Sequence, residues 1–284
     1  MLQVSKKTLN IRGKLLDLSR PAVMGILNIT PDSFYEGSRM QSEDALLTKA
    51  GQMLAEGATM IDIGGYSTRP GAKEVGETEE AERVQAAVEP LTKNFPELII
   101  SVDTFRSQVA KRAIETGAHI VNDVSGGNLD AEMFEVVAAL RVPYILMHMR
   151  GTPQTMNTLT TYNELIPDIL KDLKGKLDEL RSMGVADIIV DPGFGFAKNI
   201  DQNFQLMKHL SEFHLLGCPL LVGISRKATI YKTLKITAEE ALNGTTVLNT
   251  LALQQGASIL RVHDVKPAVE AVKLWSSAFG VNLK

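Results

Sequence analysis

Short runs of apolar residues alternate along this chain with longer amphipathic stretches, and glycine or polar residues punctuate the end of each run. The predicted strands are Val23 to Asn28, Met60 to Ile63, Leu98 to Asp103, His119 to Asn122, Pro143 to His148, Asp187 to Asp191, Pro219 to Gly223 and Ser258 to Arg261. Their near-continuous apolar character is what a parallel sheet covered on both faces requires. Helical spacing fills the intervals Ser42 to Glu56, Thr78 to Asn94, Arg106 to Glu115, Tyr162 to Met183 and Thr237 to Gln255. Ser42 with Asp44 opens the first of these in capping style, and Gly57 closes it.

Repeated βα units, about eight of them, fit a closed parallel barrel. Periodicity alone also allows an open doubly wound sheet. The barrel is favoured because polar residues recur at the C-terminal strand ends: Asn28, Asp62, Asp103, Asn122, His148, Asp191 and the group Ser225, Arg226 and Lys227. Closure would gather all of these around one mouth, where the βα loops of such barrels build active sites. The expected fold is therefore α/β, a single (β/α)8 TIM barrel spanning 1–284 with a short N-terminal extension over 1–20, and no biased linker divides it.

Composition narrows the setting. With 44% hydrophobic and 22% charged residues and a net charge of -3, the chain gives no signal for disorder or for nucleic acid. The one cysteine, Cys218, excludes an intrachain disulfide framework and reads as a small buried residue. No apolar run reaches the length of a membrane span, and the first residues lack a signal-peptide core, so a soluble cytoplasmic protein is expected.

The first strand runs into Asn28-Ile29-Thr30-Pro31-Asp32-Ser33-Phe34, read either as a capped loop or as a place where the Asn28 carbonyl oxygen meets a hard cation such as Mg²⁺. After the second strand, Gly64 to Gly76 is longer than a connection needs; within it Thr68 and Arg69 suit an anion, or Arg69 pairs with a carboxylate. Asp103, Asn122 and Asp191 end three strands and could partner a nitrogen-rich heterocycle, although Asp103 also has the placement of a helix cap. Arg261 and His263 alternate along an extended segment and could face a phosphate together, with an Arg261 to Asp264 pair equally open. His148 reads as a hydrogen-bonded loop residue rather than a metal ligand, and His119, His209 and His214 as structural.

Taken in order, Met24 to Phe34, Ser67-Thr68-Arg69-Pro70-Gly71-Ala72, Asp191 to Phe196, Ser225-Arg226-Lys227 and Arg261-Val262-His263-Asp264 resemble the dihydropteroate synthase family from about residue 22 onward. The resemblance implies a homodimeric, magnesium-assisted transferase that joins a pterin pyrophosphate to p-aminobenzoate by early loss of pyrophosphate. It implies Asp103, Asn122, Asp191 and Lys227 as pterin ligands, and Asn28, Thr68, Arg261 and His263 at the pyrophosphate, with Asn28 also on the magnesium. Pro70, Phe196 and Ser225 are implied for p-aminobenzoate and for the sulfonamides that mimic it, while Asp103, Lys227, Thr68 and Arg69 are implied in catalysis, with Pro31, Asp32 and Phe34 on a first mobile loop. Tyr66 stands where the family usually has glutamate, which puts the second loop's internal pairing in question. A methyltetrahydrofolate methyltransferase and a non-catalytic pterin-binding paralogue are the rival readings.

Overall fold

The computed structural model describes residues 6–29, 39–66 and 75–280. Eight parallel strands form its centre: β3 (Ala22–Asn28), β4 (Met60–Gly64), β5 (Ile99–Asp103), β6 (Ile120–Asp123), β7 (Tyr144–Met147), β8 (Ile188–Asp191), β9 (Leu221–Val222) and β10 (Ile259–Val262). They hydrogen-bond in the order β8-β7-β6-β5-β4-β3-β10-β9. A parallel bridge between Val190 and Leu220, with the Val190 N–H donating to the Pro219 carbonyl at 2.9 Å, brings the two edges together. The result is the (β/α)8 barrel, and the open sheet is ruled out.

Strand alternation explains what each side chain does. Along β4, Ile61 and Ile63 point outward into the layer under the helices, Met60 joins the floor of the barrel, and Asp62 stands above it in the lumen. The floor consists of inward residues from the N-terminal halves of the strands, among them Met24, Met60, Ile120, Ile145, Ile189, Leu221 and Ile259, all fully buried. An antiparallel hairpin, β1 (Thr8–Ile11) and β2 (Lys14–Asp17), closes the floor from below with Leu9 and Ile11. The N-terminal segment is thus part of the core.

The outer helices are α1 (Arg39–Ala55), α2 (Glu77–Asn94), α3 (Ser107–Thr116), α4 (Met133–Leu140), α5 (Leu165–Ser182), α6 (Ile200–Lys208), α7 (Ala228–Leu234), α8 (Leu242–Gln254) and α9 (Val265–Ala278). The first begins before Ser42. The stretch expected as one helix from Thr237 starts only at Leu242, and α4, α6, α7 and α9 fill intervals of the βα pattern for which no helix range was given. At the start of α3 the Ser107 N–H donates to Asp130 at 2.6 Å, so Asp130 does the capping and Asp103 is released for the lumen. Cys218 is buried as expected, with Arg181 donating to its sulfur at 3.3 Å. His119 accepts the Ile100 N–H, while His209 pairs with Glu212 at 2.7 Å, a carboxylate partner the sequence reading overlooked. Among the described residues no helix is long and apolar enough to cross a membrane.

Candidate active site

Above the apolar floor, the lumen turns polar where β4, β5, β6, β8 and β10 end. Register places Asp62 beside Ser101 and Asp103 beside Asn122, so neighbouring strands deliver these groups at similar heights. Arg261 enters from β10. Its Nε donates to Asp62 Oδ2 at 2.6 Å, and its Nη2 lies 2.6 Å from both Asp62 Oδ2 and Asp103 Oδ2. Asn122 Nδ2 donates to the same Asp62 oxygen at 2.9 Å. One fully buried carboxylate therefore holds both an arginine and an amide in place.

Asp191 and Lys227 form the facing wall. Asp191 Oδ1 accepts the Gly193 N–H at 2.7 Å, a local turn that leaves Oδ2 directed to the lumen. Lys227 Nζ donates to the Phe194 carbonyl at 2.5 Å and lies 4.6 Å over the Phe196 ring. A Cβ on Gly223 would fall 3.9 Å from Asp191 Oδ2 and 4.0 Å from both Lys227 Nζ and Arg261 Cβ. The glycine leaves space beside the Asp191 carboxylate and the Lys227 amine.

Burial sets the electrostatics. It raises the Asp103 carboxyl to about 7 against the pull of Arg261, with Asp62 adding to the rise. It raises Asp191 as well, opposed by Lys227 and the Gly193 N–H. The same burial lowers Lys227 to about 8, opposed by Asp191. These groups can offer acceptors to the N–H edge of a heterocycle and a donor to its carbonyl, and Asp103 and Lys227 change charge near neutral pH.

At the rim, His263 Nδ1 lies 3.1 Å from Ser225 Oγ, which also accepts the His263 N–H at 3.2 Å, so the implied anion and arylamine residues adjoin. Arg226 behaves differently from its neighbours. Its guanidinium forms two bonds to Asp264, at 2.7 and 2.8 Å, and turns away to the carbonyls of Ala238 and Glu239. Asp264 is thereby taken, and the open alternative of an Arg261 to Asp264 pair is ruled out. Asn28 lies exposed at the end of β3, where its Oδ1 is 3.7 Å from the Cβ position of Gly64. Pro31, Asp32, Ser33 and Phe34, and likewise Thr68, Arg69 and Pro70, lie outside the described residues. Tyr66 is described: it packs edge-on to Phe105 at 5.2 Å, and Arg106 lies 5.4 Å from its ring.

Two residues to which the sequence reading gave no ligand role belong to the site physically. Asp62, expected only as one of the polar groups at the mouth, is the shared anchor. Lys198 lies buried behind Asp191 and bonds to His148 at 3.0 Å, a contact between residues too distant in sequence to suggest a motif.

A closed barrel whose mouth combines paired carboxylates, an amide and cations around one lumen is the class of enzyme fold suited to seat a nitrogen-rich ring and an anionic tail. A family model described as pterin binding enzyme matches residues 24–263. The dihydropteroate synthase of Escherichia coli strain K12 is 42% identical over 265 residues, covering 93% of each chain, and that of Synechocystis is 44% identical over 258 residues, covering 90% of this chain and 89% of the relative. Among solved structures, the Yersinia pestis dihydropteroate synthase with a sulfonamide drug complex superposes with a TM-score of 0.89 at 42% identity, covering 97% of this chain and all (100%) of that one. The Xanthomonas albilineans enzyme with 4-aminobenzoic acid gives 0.88 at 37% identity, covering 98% and 100%. The chain belongs to the dihydropteroate synthases of the pterin-binding family.

Proposed function

We infer that this chain joins 6-hydroxymethyl-7,8-dihydropterin pyrophosphate to p-aminobenzoate, giving 7,8-dihydropteroate and pyrophosphate in folate biosynthesis. The observation that carries the reading is the single network Asn122, Asp62, Arg261 and Asp103, facing Asp191 and Lys227 across one lumen. In this reading Asp103, Asn122 and Asp191 take the N–H groups of the pterin, and Lys227 donates to its carbonyl and a ring nitrogen. Arg261, His263 and Asn28, with Thr68, receive the pyrophosphate. Ser225, Phe196 and Pro70 seat p-aminobenzoate, and a sulfonamide would compete there.

The bond between the pterin methylene carbon and the pyrophosphate oxygen breaks first, and its electron pair leaves with pyrophosphate. The carbon left behind is a cation conjugated with the ring. Asp103 and Asp191 face that cation with negative charge, and the arginine and histidine at the rim hold the departing anion. The amine nitrogen of p-aminobenzoate then donates its lone pair to carbon and releases a proton to solvent. No protein nucleophile takes part. Thr68 and Arg69 are assigned to the loop that covers the second substrate.

Magnesium suits this site as an ion arriving with the diphosphate. Among the described residues no group of three or more His, Cys, Asp or Glu side chains could hold a metal, whereas the exposed Asn28 amide is an oxygen donor of the kind Mg²⁺ uses beside phosphate oxygens and water. When bound it would neutralise charge on the leaving pyrophosphate. A homodimer is also proposed, because α7 and α8 expose Leu234, Leu242, Val247 and Leu251. Sedimentation of a monomer at micromolar concentration would remove that part. A reducing cytoplasm is the proposed setting, in keeping with a buried, free Cys218.

The test is to incubate the purified protein with both substrates and Mg²⁺ and to follow dihydropteroate and pyrophosphate, omitting each component in turn. Equimolar release of both products supports the reading. Pterin binding with no turnover under all conditions would leave only a binder.

A further inference from the structure

We propose that Lys198 is a positioning residue for the second substrate, holding the loop after β8 so that Phe196 and the Phe194 carbonyl face the lumen beside Lys227. The proposal rests on the assignment of Phe196 to p-aminobenzoate made above.

The loop is an unusual piece of backbone. Gly193, Gly195 and Ala197 have φ of +76°, +79° and +49°, three left-handed residues within five. Within it only the Phe196 N–H donates to a loop carbonyl, that of Gly193 at 3.1 Å, so the remaining bonds that fix the segment come from side chains. Lys198 supplies two of them. Its Nζ, on a residue of only 7% relative exposure, donates to the Gly193 carbonyl at 2.9 Å and the Phe196 carbonyl at 3.0 Å, and meets His148 Nδ1 at 3.0 Å. Burial together with the adjacent lysine keeps the His148 ring neutral, so Nδ1 can serve as the third acceptor.

The imidazole partner ties the loop to a strand end that matters for binding. His148 directly follows β7, and its N–H donates to the Asp191 carbonyl at 3.0 Å, so Lys198 links the loop to the strand that presents a pterin-facing carboxylate. Two lighter struts help: Asn203 Oδ1 accepts the Gly195 N–H at 2.7 Å, and the Tyr162 hydroxyl donates to the Ala197 carbonyl at 3.0 Å. What the loop presents is the Phe196 ring, which belongs to one apolar cluster with Met147 and Met149 and lies 4.6 Å from Lys227 Nζ. A buried amine is costly, and a leucine would fill the volume at less cost in desolvation. Only a multiple donor can hold two carbonyls and an imidazole in one geometry.

The test compares steady-state kinetics of Lys198→Met, Tyr162→Phe, Phe196→Ala and the double variant of Lys198 and Phe196. Lys198→Met is expected to raise KM for p-aminobenzoate about tenfold or more, the scale of loss from a small misplacement, while KM for the pterin pyrophosphate changes less than about threefold. Tyr162→Phe should move the same constant in the same direction by a smaller factor, and its half-buried hydroxyl makes loss of folding a minor concern. Once Lys198 is gone, removing Phe196 should add less than about twofold, because the ring has already lost its place. If Phe196→Ala raises the p-aminobenzoate KM and neither Lys198→Met nor Tyr162→Phe does, the assignment of Phe196 stands and the proposal falls. If Phe196→Ala leaves that KM unchanged, the assignment itself fails, and the proposal fails with it.

Discussion

Replacing Asp103 by asparagine tests the role of charge in the lumen without changing its shape. Arg261 stays oriented, since its Nε and Nη2 both still reach Asp62 at 2.6 Å. What changes is the balance: the substitution removes one of the three carboxylate charges of Asp62, Asp103 and Asp191 that face Arg261 and Lys227. A carboxylate roughly 4–5 Å from a developing cation, at an effective dielectric of about 20, contributes about 3–4 kcal/mol. Turnover should therefore fall about 10²–10³-fold. The ground-state ring is neutral and loses only the difference between two hydrogen bonds, about 1 kcal/mol, so its affinity should fall less than about tenfold. The assay pairs saturating kcat with a calorimetric Kd for the pterin, run near pH 7.5, between Asp103 at about 7 and Lys227 at about 8. Equal losses in kcat and in affinity would mean that Asp103 merely binds, and cation stabilisation would be refuted.

The pH profile follows from the same groups. Turnover should rise through about pH 7 as Asp103 ionises, and pterin affinity should weaken above about pH 8 as Lys227 loses its proton, so Lys227→Met should abolish the alkaline limb. For stability the sign is fixed by the raised Asp103 value: between its ordinary 3.8 and about 7 the folded state holds the proton more tightly than the unfolded chain does. The Asp103 contribution therefore declines as pH rises across that window, and the melting temperature of Asp103→Asn should gain on the parent protein from pH 4 to 7. Gly193→Ala would place a Cβ 2.0 Å from the His148 carbonyl oxygen at a φ of +76°, and thermal denaturation should show a loss of about 3 kcal/mol or more. Leu9→Ala opens a cavity under the floor and should cost about 3 kcal/mol in denaturant titration, with kcat per folded molecule unchanged because the lumen lies above an intact layer.

The barrel strands were legible because each is a short apolar run ended by a glycine or a polar residue, and a closed parallel barrel turns that pattern into an outer apolar layer and a polar mouth. Shorter elements escaped for identifiable reasons. Met133–Leu140 is so apolar that its helical period merges with the strand that follows, and the stretch before Leu242 carries helix-forming residues yet folds as turns. The hairpin β1 and β2 has strands of only four residues each, too short for alternation to stand out. Most site residues could be located individually, but their pairing could not. Arg261 reaches Asp62 across 199 positions of sequence and Lys198 reaches His148 across 50, and such distances leave no local trace. The nearby Asp264, three residues from Arg261, is instead claimed by Arg226 from a neighbouring loop.

That exchange of partners bears on how one arginine can serve two ends of a reaction. Asp62 is sealed at 0% side-chain exposure, whereas Asp103 retains 16% at the mouth, so the two bonds Arg261 makes are unequal in their access to a ligand. In the proposed reaction an anion arriving at the rim would compete with Asp103 for the outer edge of the guanidinium, while Asp62 would keep the inner edge and the side chain's direction. As the carbon–oxygen bond breaks, positive charge grows on the ring and negative charge on the departing pyrophosphate. Asp103 can then turn its charge toward the ring as Arg261 shifts its share toward the pyrophosphate, and no ion is left unpaired in a lumen of low dielectric. The buried Asp62 makes this exchange workable, because an arginine held by Asp103 alone would have to choose between losing its orientation and refusing the leaving group.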